Sequence, residues 1–207
     1  MKTYLFDFDG TIADTFKFAV ELSDILLPEF GMKKIDPKDY EHYRSLSIPQ
    51  IIKELKVPKR QIPNIALRIR KLINQKIESL EPIDGIIDVI NKLHEDGNQL
   101  GILSSNNKAN IGYFLEKNKI DSYFSFVDTK ANPLVRNFNL RQSIKKHKIN
   151  KANMIYLGDE LKDLNAAKFN KVKFIAVSWG LNNKTIFEKK GAKIIVDKPA
   201  EILKVSF

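Results

Sequence analysis

Asp7-Phe8-Asp9-Gly10-Thr11 places two carboxylates one residue apart at the end of a short apolar run. In an extended segment alternate side chains share a face, so Asp7 and Asp9 point one way while Phe6 and Phe8 point into a core. Two carboxylates held side by side repel, and one takes up a proton unless a cation joins them. Their hard oxygen donors suit Mg²⁺. A second acidic group, Gly158-Asp159-Glu160-Leu161-Lys162-Asp163, follows the apolar run at 154–157. Asp159 thus falls at another strand tip, with Asp163 one helical turn beyond it. A third tip, Gly101-Ile102-Leu103-Ser104-Ser105-Asn106, offers hydroxyls ahead of a helix whose first N–H groups can bind an anion. Carboxylates for a metal, with hydroxyls and amides for a phosphate, are the parts of a phosphoryl-transfer site.

Positioning these tips requires strands that end together. Apolar, β-rich runs occur at 4–8, 99–103, 123–127, 154–157, 173–177 and 193–196. Between most of them lie stretches of helical periodicity, such as Ile86, Ile87, Ile90 and Leu93, then Ile111, Phe114 and Leu115. Strand alternating with helix predicts an α/β, Rossmann-like three-layer core with a mainly parallel sheet. The nearly continuous apolar runs fit strands covered on both faces. Between 15 and 81 the pattern changes to helical stripes alone: Ala19, Leu22, Ile25 and Leu26; Ile48, Ile51, Ile52 and Leu55; Ile65, Ile69, Leu72 and Ile73. Pro28, Pro37, Pro49, Pro58 and Pro63 punctuate them where helices start or stop. The expected organisation is a core of 1–14 and 82–207 carrying an inserted all-α helical cap of 15–81.

The 207 residues include 35 Lys plus Arg against 25 Asp plus Glu, a formal net charge of +10, with no Cys and three His. That length suits one domain with an inserted subdomain. Disulfides, thiolate zinc sites and cysteine nucleophiles are excluded, and His42, His94 and His147 share no ligand spacing. The basic excess, 29 Lys to 6 Arg, is spread along the chain. Its densest stretch, 141–151, lacks aromatics for stacking bases and reads as a solvated helix face, so no nucleic-acid partner is expected. Asp7 and Asp9 interrupt the first apolar run too early for a signal peptide. No segment approaches the roughly 18–20 apolar residues of a spanning helix. The expectation is a cytoplasmic protein without a membrane partner.

Taken together, these residues resemble the haloacid dehalogenase-like hydrolase superfamily, and within it the phosphoglycolate phosphatase-like members with a helical cap, over essentially the whole chain. Asp7 to Thr11 match that superfamily's first motif, Ser104 its second, and Gly158 to Asp163 its fourth, while 15–81 occupy the place of the cap. Two residues compete for the basic third motif. Arg136 lies 32 residues after Ser104 and 23 before Asp159; Lys130 lies 26 after and 29 before, and the spacing favours Arg136. The resemblance implies that Asp7 attacks phosphorus and that Asp9 acts as acid and then base. It places Mg²⁺ on Asp7, the Asp9 carbonyl and Asp159, with Glu160 and Asp163 outside them. Ser104, the Ser105 amide, Thr11 and either Arg136 or Lys130 are assigned to the phosphoryl group, Thr11 also bracing its loop. Asn106 is read as a helix cap and Trp179 as packing. Arg44, in the cap, is within range of a substrate carboxylate or second phosphate, although a surface position is the more ordinary one. The implied substrate is a small phosphate ester, with phosphoglycolate the default, and the implied assembly a monomer or homodimer. A sugar-phosphate phosphomutase and a basic binding protein that has lost catalysis are the alternatives.

Overall fold

A computed structural model describes residues 1–129 and 135–207, with Arg70 described by its backbone alone. Six strands form one sheet: β1 (Thr3–Phe6), β2 (Gln99–Leu103), β3 (Phe124–Asp128), β4 (Met154–Gly158), β5 (Lys173–Val177) and β6 (Ile195–Val196). All pair in parallel, in the order β3-β2-β1-β4-β5-β6. The strand order reverses between β1 and β4, which opens a crevice at their C-terminal ends.

Alternation along each strand supplies the two faces of the sheet. Tyr4, Phe6, Ile102, Leu157 and Ile175 pack with α5 (Ile86–Glu95) and α6 (Lys108–Lys117) on one side. Leu5, Leu103, Tyr156 and Phe174 pack with α7 (Arg136–Lys146), α8 (Leu161–Asn170) and α9 (Lys184–Lys189) on the other. The result is the expected three-layer α/β arrangement. Two strands are shorter than the apolar runs predict. β1 stops at Phe6 because the Phe8 carbonyl accepts the N–H groups of Thr11, Ile12 and Ala13, at 3.3, 2.9 and 3.1 Å, which closes a tight turn. β6 keeps only Ile195 and Val196, the two residues in register with β5. α7 begins at Arg136, which therefore stands in its first turn.

Residues between β1 and α5 form α1 (Thr15–Glu29), α2 (Tyr40–Arg44), α3 (Ile48–Glu54) and α4 (Ile62–Gln75). Asp14 caps α1 by accepting from the Lys17 N–H at 3.3 Å. Leu22, Leu26 and Leu72 are buried where α1 meets α4. Of the predicted α1 stripe Leu22 and Leu26 are buried, while Ile25 is exposed and Leu27 is buried in its place. Among the described residues α3 buries no side chain; Ile51, Ile52 and Leu55 instead line an apolar cavity of 370 Å³ together with α1 and α4. No helix is long and apolar enough to cross a membrane among the described residues.

Candidate active site

Pairing with β4 continues one residue past β1, since the Asp7 N–H donates to the Leu157 carbonyl at 2.8 Å. The Asp7 side chain is therefore delivered to the crevice on a rigid element, 2% exposed. Its Oδ1 accepts the Phe8 N–H at 2.8 Å, and its Oδ2 lies 2.5 Å from Nη2 of Arg136 and 3.6 Å from Nζ of Lys162. Burial alone would raise the pKa of Asp7, but the two cations and the amide outweigh it and bring it below the ordinary value. Asp7 is held ionised.

Arg136 reaches this point through the core. Its side chain is 1% exposed, and its Nε donates to Asp163 Oδ1 at 2.8 Å, so the guanidinium bridges two buried carboxylates. Tyr156 donates its hydroxyl to the same Asp163 oxygen at 2.6 Å. Burial pulls the Arg136 pKa down, but Asp7, Tyr156 and Asp163 carry it up and keep it charged. Lys130, the competing basic residue, lies outside the described residues. Asp163 holds Arg136 and Tyr156 and is not one of the three carboxylates grouped below.

Asp9 is half-buried on the opposite wall. The Asn106 amide donates to its Oδ1 at 3.0 Å and the Ser104 hydroxyl to its Oδ2 at 3.4 Å. Burial, followed by the Asp7 charge, pushes the Asp9 pKa up to about 6. The helix cap read for Asn106 belongs to its neighbour: Asn107 accepts the Asn110 N–H at 2.8 Å, which frees the Asn106 side chain for Asp9. Ser104 is fully buried and accepts the Asn106 N–H at 3.0 Å; Ser105, half-buried, follows at the mouth of the loop.

Asp7, Asp159 and Glu160 each bring a carboxylate oxygen within 4.8 Å of the others. Asp159 is buried, and burial together with the Glu160 and Asp7 charges drives its pKa well up, the mark of an acid placed where a cation would stabilise its anion. It is fixed by the Leu181 N–H at 2.8 Å on Oδ2 and the Thr11 hydroxyl at 3.3 Å on Oδ1. Thr11 is wholly buried in that contact and faces Asp159, so it braces the loop. A Cβ at Gly10, whose φ is +70°, would stand 2.2 Å from Asp159 Oδ2, and one at Gly180 2.3 Å from the same atom. Only glycine leaves Asp159 this room. The Trp179 ring N–H donates to the Thr11 carbonyl at 3.3 Å and ties the same loops together. Three carboxylates in a cradle cut to their size, offering oxygen donors alone, fit a hard divalent cation.

Lys162 is the residue that sequence reasoning missed. It ion-pairs with Glu160 and Asp7, and although burial lowers its pKa, Glu160, Asp7 and Asp163 raise it above the ordinary value. The signal was a lone lysine inside an acidic motif, a pattern that also describes a solvated helix start.

Helices α1 and α4 roof the crevice, leaving a cavity of 150 Å³ between Asp9, Asp159, Glu160 and the roof. Arg44 does not point into it. The guanidinium donates to the carbonyls of Ser178, at 2.5 Å, and Gly180, at 3.0 Å, with only 14% of the side chain exposed. Asn182 returns the contact by donating to the Arg44 and Leu46 carbonyls at 3.2 and 2.9 Å. Arg44 is thus a tie between α2 and the loop that cradles Asp159.

A switch-point crevice carrying carboxylates, a hydroxyl and a buried guanidinium has the make-up of a phosphoryl-transfer site. The family described as haloacid dehalogenase-like hydrolase matches residues 4–177, and the chain belongs to it. It is a phosphatase of that family. It is 29% identical over 203 residues to a phosphoglycolate phosphatase of Synechococcus elongatus, covering 98% of this chain and 96% of that one. A pyrophosphatase of Listeria innocua is 22% identical over 209 residues, covering 99% and 96%. A haloacid dehalogenase-like protein of Streptococcus pneumoniae shares the fold with a TM-score of 0.81 at 19% identity, covering 99% and 97%.

Proposed function

We propose that the protein is a Mg²⁺-dependent phosphatase that hydrolyses a small phosphorylated metabolite through an aspartyl-phosphate on Asp7, with residues 15–81 acting as a cap over a core of 1–14 and 82–207. The observation that carries this reading is the pairing of unlike carboxyls: Asp7 ionised against Arg136 and Lys162, Asp9 beside it with a pKa of about 6. Two acids whose environments separate their pKa values divide into nucleophile and proton carrier.

In the first step a carboxylate oxygen of Asp7 bonds to phosphorus while the bond from phosphorus to the ester oxygen breaks. Asp9 gives that departing oxygen its proton, for which a pKa near 6 is suited. Asp9, now ionised, takes a proton from water, whose oxygen attacks the phosphorus and releases inorganic phosphate and free Asp7. Ser104 and the Ser105 amide receive phosphoryl oxygens at the tip of β2, and Arg136 and Lys162 offset the charge that Asp7 and the phosphoryl group share. Asp163 and Tyr156 keep the Arg136 fork aimed. Asp7, Asp159, Glu160 and the Asp9 carbonyl would hold Mg²⁺, which when bound neutralises charge on the phosphoryl oxygens. The cavity of 150 Å³ beneath the helical roof suits an ester about the size of phosphoglycolate.

Purified protein with Mg²⁺ is expected to release phosphate from p-nitrophenyl phosphate, stop on addition of EDTA, and lose turnover in Asp7→Asn. Phosphate release should equal substrate loss when a sugar phosphate is supplied. Turnover that survives both EDTA and Asp7→Asn contradicts the proposal.

A further inference from the structure

The wall of the 150 Å³ cavity that faces away from the strand tips is built from Phe16, Phe18, Ala19, Leu22, Ile69 and Ile73. Among the described side chains that line the cavity, the charged ones are Asp9, Asp159 and Glu160, all carboxylates. Among the described side chains, Arg44 and Lys76 lie close behind this wall, and both are engaged elsewhere. Arg44 stands 4.7 Å from the Phe16 ring centre, with its donors on the Ser178 and Gly180 carbonyls and on Glu41. Lys76 stands 5.0 Å from the Phe18 ring centre and pairs with Glu21 at 3.1 Å. Lys162 is held by Glu160 and Asp7 on the phosphoryl side. A substrate whose leaving group bore a carboxylate or a second phosphoryl group would bury that charge against rings and aliphatic side chains. Burying a charged group without a partner is among the most unfavourable events a site can impose.

We propose that the esters this site selects carry a short, uncharged and largely apolar leaving group, and that it discriminates against phosphoglycolate and pyrophosphate, the compounds that name its relatives. The proposal rests on the phosphatase reading above and narrows its substrate class. An apolar wall binds a few carbon atoms by excluding water from them, while discrimination comes from the unpaired charge of the wrong substrate.

The test compares phosphate release from isobutyl phosphate and from phosphoglycolate, which match in shape and differ in the carboxylate, with pyrophosphate as a third substrate. With wild-type enzyme and Mg²⁺, kcat/KM for isobutyl phosphate is expected to exceed that for each of the other two by about tenfold or more. Equal or better turnover of phosphoglycolate or pyrophosphate overturns the inference while leaving the phosphatase reading intact. Failure to hydrolyse any of these esters or p-nitrophenyl phosphate overturns both. Ile73→Lys, which sets an ammonium in the wall, should shift the ratio of kcat/KM values toward phosphoglycolate by about tenfold. A folded Ile73→Lys enzyme with an unchanged ratio also overturns the inference.

Discussion

Replacing Arg136 by methionine keeps the length of the side chain and removes its charge and its donors. The guanidinium sits 2.5 Å from Asp7 and 2.8 Å from Asp163, and those carboxyls are 2% and 0% exposed. Its loss leaves two buried carboxylates without their shared cation, and only Lys162, at 3.6 Å, remains near Asp7. Removing one partner of a buried ion pair costs about 3–5 kcal/mol. In a chain of this size each kcal/mol moves the melting temperature by about 2–4 °C, so Arg136→Met should melt about 6–20 °C below wild type at pH 8. The deficit should shrink at pH 5. Burial already holds the Asp163 pKa at about 6 with Arg136 in place, so without that cation the carboxyl takes up a proton more readily and the uncompensated charge disappears. Arg136→Lys should fall between the two, because a single ammonium cannot span both carboxylates as the fork does. The assay is thermal melting by circular dichroism at the two pH values. A natively folded Arg136→Met protein that melts within about 2 °C of wild type at pH 8 would refute the reasoning, since a loss that small lies far below the cost of an unpaired buried charge.

Asp9 makes a separate prediction for the metal-free protein. Its folded pKa, about 6, lies above the unfolded carboxylate value near 4, so the stability it contributes is complete below about pH 4 and is lost as pH rises through 6. The loss amounts to at most about 3 kcal/mol, less to the extent that water reaches this half-buried group. Asp159 and Asp163, whose pKa values are also raised, titrate in both proteins, so urea denaturation in EDTA between pH 4 and 7 should show a steeper fall of stability in wild type than in Asp9→Asn; parallel curves contradict it. Gly180→Ala puts a methyl 2.3 Å from Asp159 Oδ2 and 2.4 Å from the Gly10 carbonyl. The Mg²⁺ concentration for half-maximal activity should rise by about tenfold or more, and an unchanged value would mean that Asp159 does not set metal affinity.

Much of this site is legible before any coordinates, because strand tips are. An apolar run that ends in Asp7, in Asp159 or in Ser104 announces both the strand and the side chain it delivers, and the parallel sheet brings the tips together. The segments between the strands are harder to read. Spacing puts Asp163 one turn past Asp159, but its partners are fixed by α7 crossing α8, which brings Arg136 to it from 27 residues away. Arg44 looks like a surface cation because its acceptors, the Ser178 and Gly180 carbonyls, lie more than 130 residues later and leave no trace in residue type. Asn106 and Asn107 are interchangeable as helix caps on composition; only the backbone geometry assigns the cap to Asn107 and leaves Asn106 for Asp9. In the helical insertion the apolar residues outnumber the places that bury them, so Ile25 and Leu27 exchange roles when α1 settles on α4.

The central claim is that phosphate passes through a covalent bond to Asp7. Rapid acid quench of the enzyme during turnover of a ³²P-labelled ester, followed by peptide mapping, tests it directly. The account predicts base-labile label on the tryptic peptide that runs from residue 3 to residue 17, absent from Asp7→Asn. Phosphate released at full rate with no label on that peptide, or an active Asp7→Asn enzyme, would contradict it.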